Sequence, residues 1–298
     1  MTFSVVIPAF NGSRFIEQAI LSALNQQRAA DEILVLDDNS TDDTLSICRK
    51  YQHRIRILSN PSGPSGFVKA WNNAVVAATG DFISILHQDD LLEPEFLGMA
   101  EILLDTNPGI RHMFCTCRYI DADNKHLSSS YQGQPSIRHY TGQEYLTAYQ
   151  NIGAPHIHRC PGVLTHKSIF DQCRYNADAG HIADDDFFYR VGMYTDVIGI
   201  LHPLASFRLH SGSVTGRSTD ASLVRQLAAD YLYQCRQWKG QPFILPSQYD
   251  YFTRNAGKFI RRLLGYGIRH GSPSMIMEAS RQWMQLKKFI RRPVRSEA

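Results

Sequence analysis

Asp81-Phe82-Ile83-Ser84-Ile85-Leu86-His87-Gln88-Asp89-Asp90 is an apolar run that breaks off in two adjacent carboxylates and is followed by Leu91-Leu92-Glu93-Pro94. A central strand of a parallel sheet is apolar on both faces, and such sheets bind ligands just beyond the carboxyl ends of their strands. The run therefore predicts a buried strand that presents Asp89 and Asp90 to a ligand. Neighbouring carboxylates repel, so they call for a shared cation or several donors, and a hard divalent metal meets that need. The same residues also suit a helix start, with the acids as caps and Pro94 in the first turn. Taken by itself the stretch leaves both readings open.

Upstream, Val5-Val6-Ile7 runs into the breaker cluster Pro8-Ala9-Phe10-Asn11-Gly12, after which Ile16, Ala19, Ile20, Ala23 and Leu24 recur at helical spacing. Glu32-Ile33-Leu34-Val35-Leu36 predicts a second strand that ends in Asp37-Asp38-Asn39-Ser40, and Ser40 with Asp43 has a capping-box pattern for the helix carrying Leu45, Ile47 and Cys48. A third strand, Ile55-Arg56-Ile57-Leu58, leads through the Gly/Pro-rich residues 60–66 into a helix over about 67–78. Three strand-helix alternations before the opening strand specify a doubly wound, mainly parallel α/β sheet of Rossmann-like type with right-handed crossovers.

Downstream, a helix over about 95–105 and a strand at Met113-Phe114-Cys115-Thr116 continue the alternation, which then degrades into a polar, irregular stretch from Asp121 to Tyr140. Thr141 and Glu144 have the spacing of a capping box, and Val163-Leu164-Thr165 reads as a short strand. Ala183-Asp184-Asp185-Asp186-Phe187-Phe188-Tyr189-Arg190 places three acids at the start of an aromatic helix, where the dipole favours them. Residues from Ser206 to Thr215 read as a strand tipping into a glycine loop, and the chain beyond Gly216 reads as a helical appendage.

The 298 residues are 43% hydrophobic and 20% charged, enough apolar material for one large core or two smaller ones. From Gly257 onward there are ten Lys/Arg and two Glu, a local balance of +8 that leaves −5 for the rest of a chain whose net charge is +3. Basic character thus belongs to the C-terminal region, where Lys287, Lys288, Arg291 and Arg292 stand among Trp283, Leu286, Phe289 and Ile290. That pattern fits an interfacial amphipathic helix on an anionic membrane surface, and equally a helix packed on the domain with a solvated basic face. Six scattered cysteines without a CxxC pair, and a strand-like opening at Phe3, give the expectation of a cytoplasmic location, peripheral at the inner face of the membrane. No run approaches the roughly 18 to 20 apolar residues of a spanning helix.

Neither a GxGxxG after the first strand nor a GxxxxGK[ST] is present. Acids at two strand ends, Asp37/Asp38 and Asp89/Asp90, suit a nucleotide held by carboxylates through base and ribose and by a metal through its diphosphate. Val5-Val6-Ile7-Pro8-Ala9-Phe10-Asn11, Val35-Leu36-Asp37-Asp38-Asn39-Ser40-Thr41-Asp42, and Ala78-Thr79-Gly80-Asp81 leading to Asp89-Asp90 together resemble the donor half of family-2 glycosyltransferases of the GT-A fold. The likeness continues into Asp184-Asp185-Asp186, similar to the family's acidic base motif, and into Arg208-Leu209-His210-Ser211-Gly212-Ser213, similar to its closing Arg-x-His-x-Gly-Ser element.

The resemblance implies that Pro8, Phe10 and Asp38 hold the nucleoside base, with Asp37 as a neighbour, and that Asp89, Asp90 and His210 bind donor and metal, Mn2+ or Mg2+. It makes Asp184 the catalytic base of an inverting transfer from a nucleoside-diphosphate sugar, UDP-sugar first, to a hydroxyl of a glycan or lipid-linked acceptor in envelope or exopolysaccharide synthesis. No nucleic acid partner is implied. The expected division is a GT-A domain over 1–215, with a donor half about 1–120 and an acceptor half about 121–215, then a basic helical region over 216–298. His87 stands where the family usually has Asp, and Ala183 where Glu is common, which leaves open a binding module impaired in catalysis. Nucleotidyl transfer to a sugar phosphate would need a glycine-rich basic loop that residues 8–13 do not supply. His156, His158, Cys160 and His166 allow a zinc site to be imagined, but without a second clustered pair they read as a loop wall, and Lys69 reads as solvated surface.

Overall fold

Strand-helix alternation builds the first half of the sheet, in a computed structural model that describes residues 1–60, 63–150, 157–213 and 220–290. Strands β1 (Phe3–Ala9), β2 (Glu32–Asp37), β3 (Arg56–Ser59) and β4 (Phe82–Ile85) lie parallel in the order β3-β2-β1-β4. Helices α1 (Ile16–Leu24), α2 (Thr44–Arg49) and α3 (Phe67–Ala77) make the crossovers. All four residues of β4 are buried, as a central strand requires. Pro8 stands beyond the last β1–β4 register pair, Val6 with Ile85, so its missing N–H costs no bond to β4.

The second half mixes directions. After β5 (Leu91–Leu92) and α4 (Phe96–Thr106) come β6 (His112–Ile120), β7 (His126–Ser129), β8 (Ile137–Tyr140), α5 (Gly142–Tyr149), β9 (Val163–His166), α6 (Lys167–Gln172), a 3₁₀ turn (Ala177–Ile182), α7 (Ala183–Val191) and β10 (Val197–Arg208). The sheet continues β4-β9-β6-β10-β5, with β7 on β6 and β8 on β10. Because β9 is antiparallel to both β4 and β6, and β10 is parallel to β6, six strands share one direction and open their carboxyl ends on one edge. On one face, Ile16, Ala19, Ile20 and Ala23 of α1 and Phe96, Leu97 and Ala100 of α4 pack with Phe3, Val5 and Ile7 of β1. Each of the isoleucine, valine, leucine and phenylalanine side chains contributes about 1.5 to 3 kcal/mol by burial, and the alanines less.

Two sequence expectations are corrected in this half. The strand read from Ser206 to Thr215 begins at Val197 and stops at Arg208, and Val214 and Thr215 lie outside the described residues. Its first part pairs with β6 on one side and β8 on the other, so its apolar residues are buried. The stretch read as irregular from Asp121 to Tyr140 carries β7 and β8, short and largely exposed strands whose side chains give no period-two signal. The Thr141–Glu144 capping box is formed.

The described residues divide into two units. The first gathers Met1–Tyr175 and Phe187–Leu209 and holds the whole sheet. The second gathers Asn176–Asp186 with the chain from His210 on, and contains α8 (Ala221–Trp238), α9 (Pro246–Arg269) and α10 (Pro273–Ile290). Val224, Leu232, Phe252, Ile260, Leu263 and Leu286 are buried among these helices, and Tyr231 stacks on Phe259 at 5.5 Å. No described helix is long and apolar enough to cross a membrane.

Candidate active site

The chain leaves β4 with the Leu86 amide on the Val6 carbonyl (2.9 Å) and closes a turn in which the Asp90 amide donates to the His87 carbonyl (3.1 Å). Residues 91–92 then pair with Ala205 and Ser206 of β10, and α4 starts only at Phe96. Asp89 and Asp90 therefore do not cap that helix; they lie in a turn beyond the carboxyl end of β4, Asp90 fully buried and Asp89 half-buried. The turn is clamped by Arg208, whose side chain is among the largest fully buried ones. Its guanidinium donates to the carbonyls of Asp89 (2.7 Å) and Asp121 (3.0 Å), to Asn124 Oδ1 (2.6 Å) and to Gln18 Oε1 (2.9 Å), and lies 4.6 Å above the Phe15 ring. The Arg208 amide donates to Asp90 Oδ1 at 2.8 Å. Burial, then the charge of Asp89, push the Asp90 carboxyl well above the usual carboxylate range, and Arg208 opposes them.

His87 faces this pair, with its Nδ1 3.6 Å from Asp90 Oδ2 and its ring stacked on Trp71 at 5.1 Å and 16°. Donor atoms of His87, Asp89 and Asp90 lie within 4.8 Å of one another, a grouping sized for a metal ion. Asp90 Oδ2 is buried without a hydrogen bond, which leaves a carboxylate oxygen available to a cation. Oxygen donors from two acids fit Mn2+ or Mg2+.

Asp38 is buried and saturated within its own unit. Its Oδ1 accepts from Asn60 Nδ2 (2.7 Å) and Ser65 Oγ (2.8 Å), and its Oδ2 from the amides of Ser65 (2.8 Å) and Gly66 (3.2 Å). It thereby pins the loop between β3 and α3. Asp37 turns the other way, accepting from the Ser40 amide at 3.2 Å and standing close enough to the buried Cys48 to help burial push that thiol up to about 11. Phe10 is exposed at the end of β1, and its amide and carbonyl are bridged by the Gln88 side chain at 2.8 and 3.1 Å. A β-carbon on Gly12 would strike that same Gln88 side chain.

The loops after β1 and β2 are zipped together. The Asn11 amide donates to Ser40 Oγ (2.9 Å), the Gly12 amide to Thr44 Oγ1 (2.8 Å) and the Ser13 amide to Asp42 Oδ2 (3.1 Å), while the Thr41 amide donates to Asn11 Oδ1 (2.8 Å). The expected Ser40–Asp43 capping box is absent because Ser40 is engaged by Asn11, and Asp42 accepts the Thr44 amide instead (3.0 Å). Burial would raise the Asp42 carboxyl, but hydrogen bonds from Thr44 and Ser13 outweigh it and bring it down to about 2.

Asp184 and His210 belong to the second unit. There Asp186 is buried and accepts from Gln234 Nε2 of α8 (2.9 Å), and Gln234 in turn accepts from Trp238 Nε1. Asp185 is also buried, whereas Asp184 is partly exposed. The preceding turn is fixed by Asp230, which accepts the His181 amide (2.9 Å) and lies against Gly180, where φ is +62° and a β-carbon would collide with the carboxylate. Burial raises the Asp230 carboxyl to about 6. His210 opens a tight turn, its carbonyl accepting from the amide (3.1 Å) and hydroxyl (2.9 Å) of Ser213.

His158 is buried and bonded to the Tyr145 hydroxyl (2.8 Å), and His166 caps α6 through Ser168, so neither serves a zinc site; His156 lies outside the described residues. Lys69 is exposed, in keeping with its reading as surface. Sequence reasoning gave no role to Arg208, Gln88 or the loop around Ser65. The match of Arg208 to the first position of the Arg-x-His element was the available signal.

A likeness in fold to nucleotide-sugar enzymes is clear. Staphylococcus aureus TarS 1–349 in complex with UDP-GlcNAc gives a TM-score of 0.60 at 15% identity over 97% of this chain and 90% of that one. Mannosyltransferase PcManGT from Pyrobaculum calidifontis, in complex with GDP-Man and Mn2+, gives 0.60 at 17% over 96% and 84%. The sheet with its C-terminal helices is of GT-A type. Residues 4–171, more than half of the chain, match the family described as glycosyl transferase family 2, and the chain belongs to that family. Chondroitin synthase of Pasteurella multocida (strain Pm70) is 35% identical over 133 residues, 43% of this chain and 13% of that protein. Poly(ribitol-phosphate) β-N-acetylglucosaminyltransferase TarS of S. aureus is 33% identical over 111 residues, 35% of this chain and 19% of that protein. The chain thus matches less than a fifth of the length of either curated relative.

Proposed function

We propose that the protein is an inverting glycosyltransferase that moves a sugar from a nucleoside diphosphate, UDP first, to a hydroxyl of a glycan or lipid-linked acceptor of the cell envelope. The observation that carries this reading is the Asp89–Asp90 turn, clamped by Arg208 at the carboxyl edge of a family-2 sheet. Relatives whose names or complexes include UDP-GlcNAc, GDP-Man and Mn2+ support the donor class and the metal.

Each role follows from what the side chains offer. Phe10 is an exposed ring at a strand end, suited to a nucleobase face. Asp38 contributes by fixing Asn60, Ser65 and Gly66 beside the strand end, its own carboxylate being saturated by them. A divalent cation held by Asp89 and Asp90 supplies positive charge for the departing diphosphate. The acceptor hydroxyl is un-ionised at neutral pH, so a carboxylate must take its proton as the glycosidic bond forms; general-base assistance is worth about 10² to 10⁴ in rate. Asp184 is that base in this reading, because Asp186 is committed to Gln234 and Asp185 is buried, while Asp184 keeps access to solvent. The exposed bases of α9 and α10 (Arg254, Lys258, Arg261, Arg262, Arg269, Arg281, Lys287, Lys288) would bring the enzyme to an anionic membrane surface where such acceptors reside.

The test is transfer from a panel of nucleoside-diphosphate sugars by Asp184→Asn, Asp185→Asn and Asp186→Asn. We expect Asp184→Asn to lose at least about 10²-fold in turnover with donor affinity kept, and the other two to be milder. Full transfer in Asp184→Asn would remove it from the mechanism, and no transfer by the parent from any sugar donor would refute the reading.

A further inference from the structure

We propose that His87 is a direct third ligand of the metal, and that its imidazole biases the site toward first-row transition ions over Mg2+. The inference rests on the metal-binding reading of Asp89 and Asp90 above and adds to it a residue that stands where the family usually has an acid.

Three observations support it. First, His87 Nδ1 is 3.6 Å from Asp90 Oδ2, within the roughly 3 to 4.4 Å that separates two donors each about 2.2 Å from one ion. Second, that carboxylate oxygen is buried, lacks a hydrogen bond and faces the imidazole, so the space between them is bounded by two potential ligands. Third, the ring is pre-oriented. It stacks on Trp71, which is itself held edge-on by Phe67 (5.1 Å) and Tyr175 (5.2 Å). Stacking of this kind limits the ring's rotation, so less ordering is left for a bound ion to impose.

The chemistry follows from the donor set. Mg2+ prefers oxygen ligands and gives up water reluctantly, whereas imidazole nitrogen suits Mn2+ less than Co2+ or Zn2+ but all of them better than Mg2+. An acid in place of His87 would return the site to all-oxygen ligation. His87→Asp should therefore lower the Mn2+ to Mg2+ affinity ratio by about tenfold.

The experiment uses the full chain with Mn2+ alone, read by electron spin-echo envelope modulation, in which a directly bound imidazole gives a ¹⁴N signature on the manganese. Parent protein, His87→Asp, His87→Gln and His210→Ala are compared as folded, monodisperse samples. The expected result is a ¹⁴N signature in the parent and in His210→Ala that is lost in both His87 variants while Mn2+ remains bound. Bound Mn2+ without a ¹⁴N signature, or a signature that survives in both His87 variants, would overturn the role of His87 and leave Asp89 and Asp90 as ligands. Absence of Mn2+ binding to the parent would overturn both readings.

Discussion

Replacing Arg208 by Met keeps most of the side-chain volume and removes four buried N–H donations. The Arg208 amide on Asp90 survives, so the perturbation isolates the guanidinium. Gln18 and Asn124 can turn toward solvent, but the carbonyls of Asp89 and Asp121 cannot, and each stranded acceptor costs about 1 to 3 kcal/mol. The two stranded carbonyls together indicate a loss of about 4 kcal/mol. For the sheet-bearing unit, about 200 residues, that is about 8 to 16 °C in Tm. Lysine should not rescue, because its single ammonium cannot reproduce the fork of donors. Calorimetry in EDTA at neutral pH measures the loss, and adding Mn2+ should recover more Tm in Arg208→Met than in the parent, because the ion replaces the missing cation. Pairing the change with Asp90→Asn tests the electrostatics: the double variant should lose about 1 to 3 kcal/mol less than the sum of the singles. A Tm within about 2 °C of the parent, or strict additivity, would refute the view that Arg208 holds the acid pair.

Two further outcomes are expected. Asp230 carries a folded pKa of about 6, above its unfolded value, so the stability it contributes is present at low pH and is lost as pH rises through about 6. Asp230→Asn, which keeps an acceptor for the His181 amide, should melt higher than the parent at pH 7.5 by about 2 to 4 °C, the full shift being discounted for partial exposure, with the gain gone at pH 4; an equal difference at both pH values would contradict this. For the helical surface, binding to anionic vesicles should fall steeply on changing Arg261, Arg262, Lys287 and Lys288 to Glu, at about 1 kcal/mol per base, and with added salt; flotation on neutral vesicles to the same extent would remove the electrostatic reading.

The parallel half of the sheet is legible in the sequence because β1, β2 and β4 are buried on both faces and end in breakers, so that local pattern and final environment agree. The acids at their ends are legible for the same reason. What they bond to is not. Asp90 meets the Arg208 amide across 118 residues, and Asp38 meets Ser65 across 27, and no local period encodes such pairings. Asp37 and Asp38 look equivalent in the sequence, yet alternation along a strand sends one toward Cys48 and the other into a loop. Strands β5, β7 and β8 escape detection because they are very short or exposed, and derive their order from β10 and β6 rather than from their own side chains. Among Asp184, Asp185 and Asp186 the sequence offers three similar carboxylates; only the burial and the bond to Gln234 tell them apart.

The loop after β1 bears on how this protein handles anions. Four consecutive amides, those of Phe10, Asn11, Gly12 and Ser13, are each taken by a side chain, of Gln88, Ser40, Thr44 and Asp42 respectively. In glycine-rich dinucleotide and P-loop proteins the equivalent amides point outward as a concave nest and carry the phosphate themselves. Here that donor capacity is spent inside the protein on joining neighbouring loops, and the glycine at position 12 makes room for Gln88 rather than for a phosphate. Phosphate held at this edge must then be matched by cationic charge, which makes its affinity more sensitive to metal supply and ionic strength than an amide cradle would be.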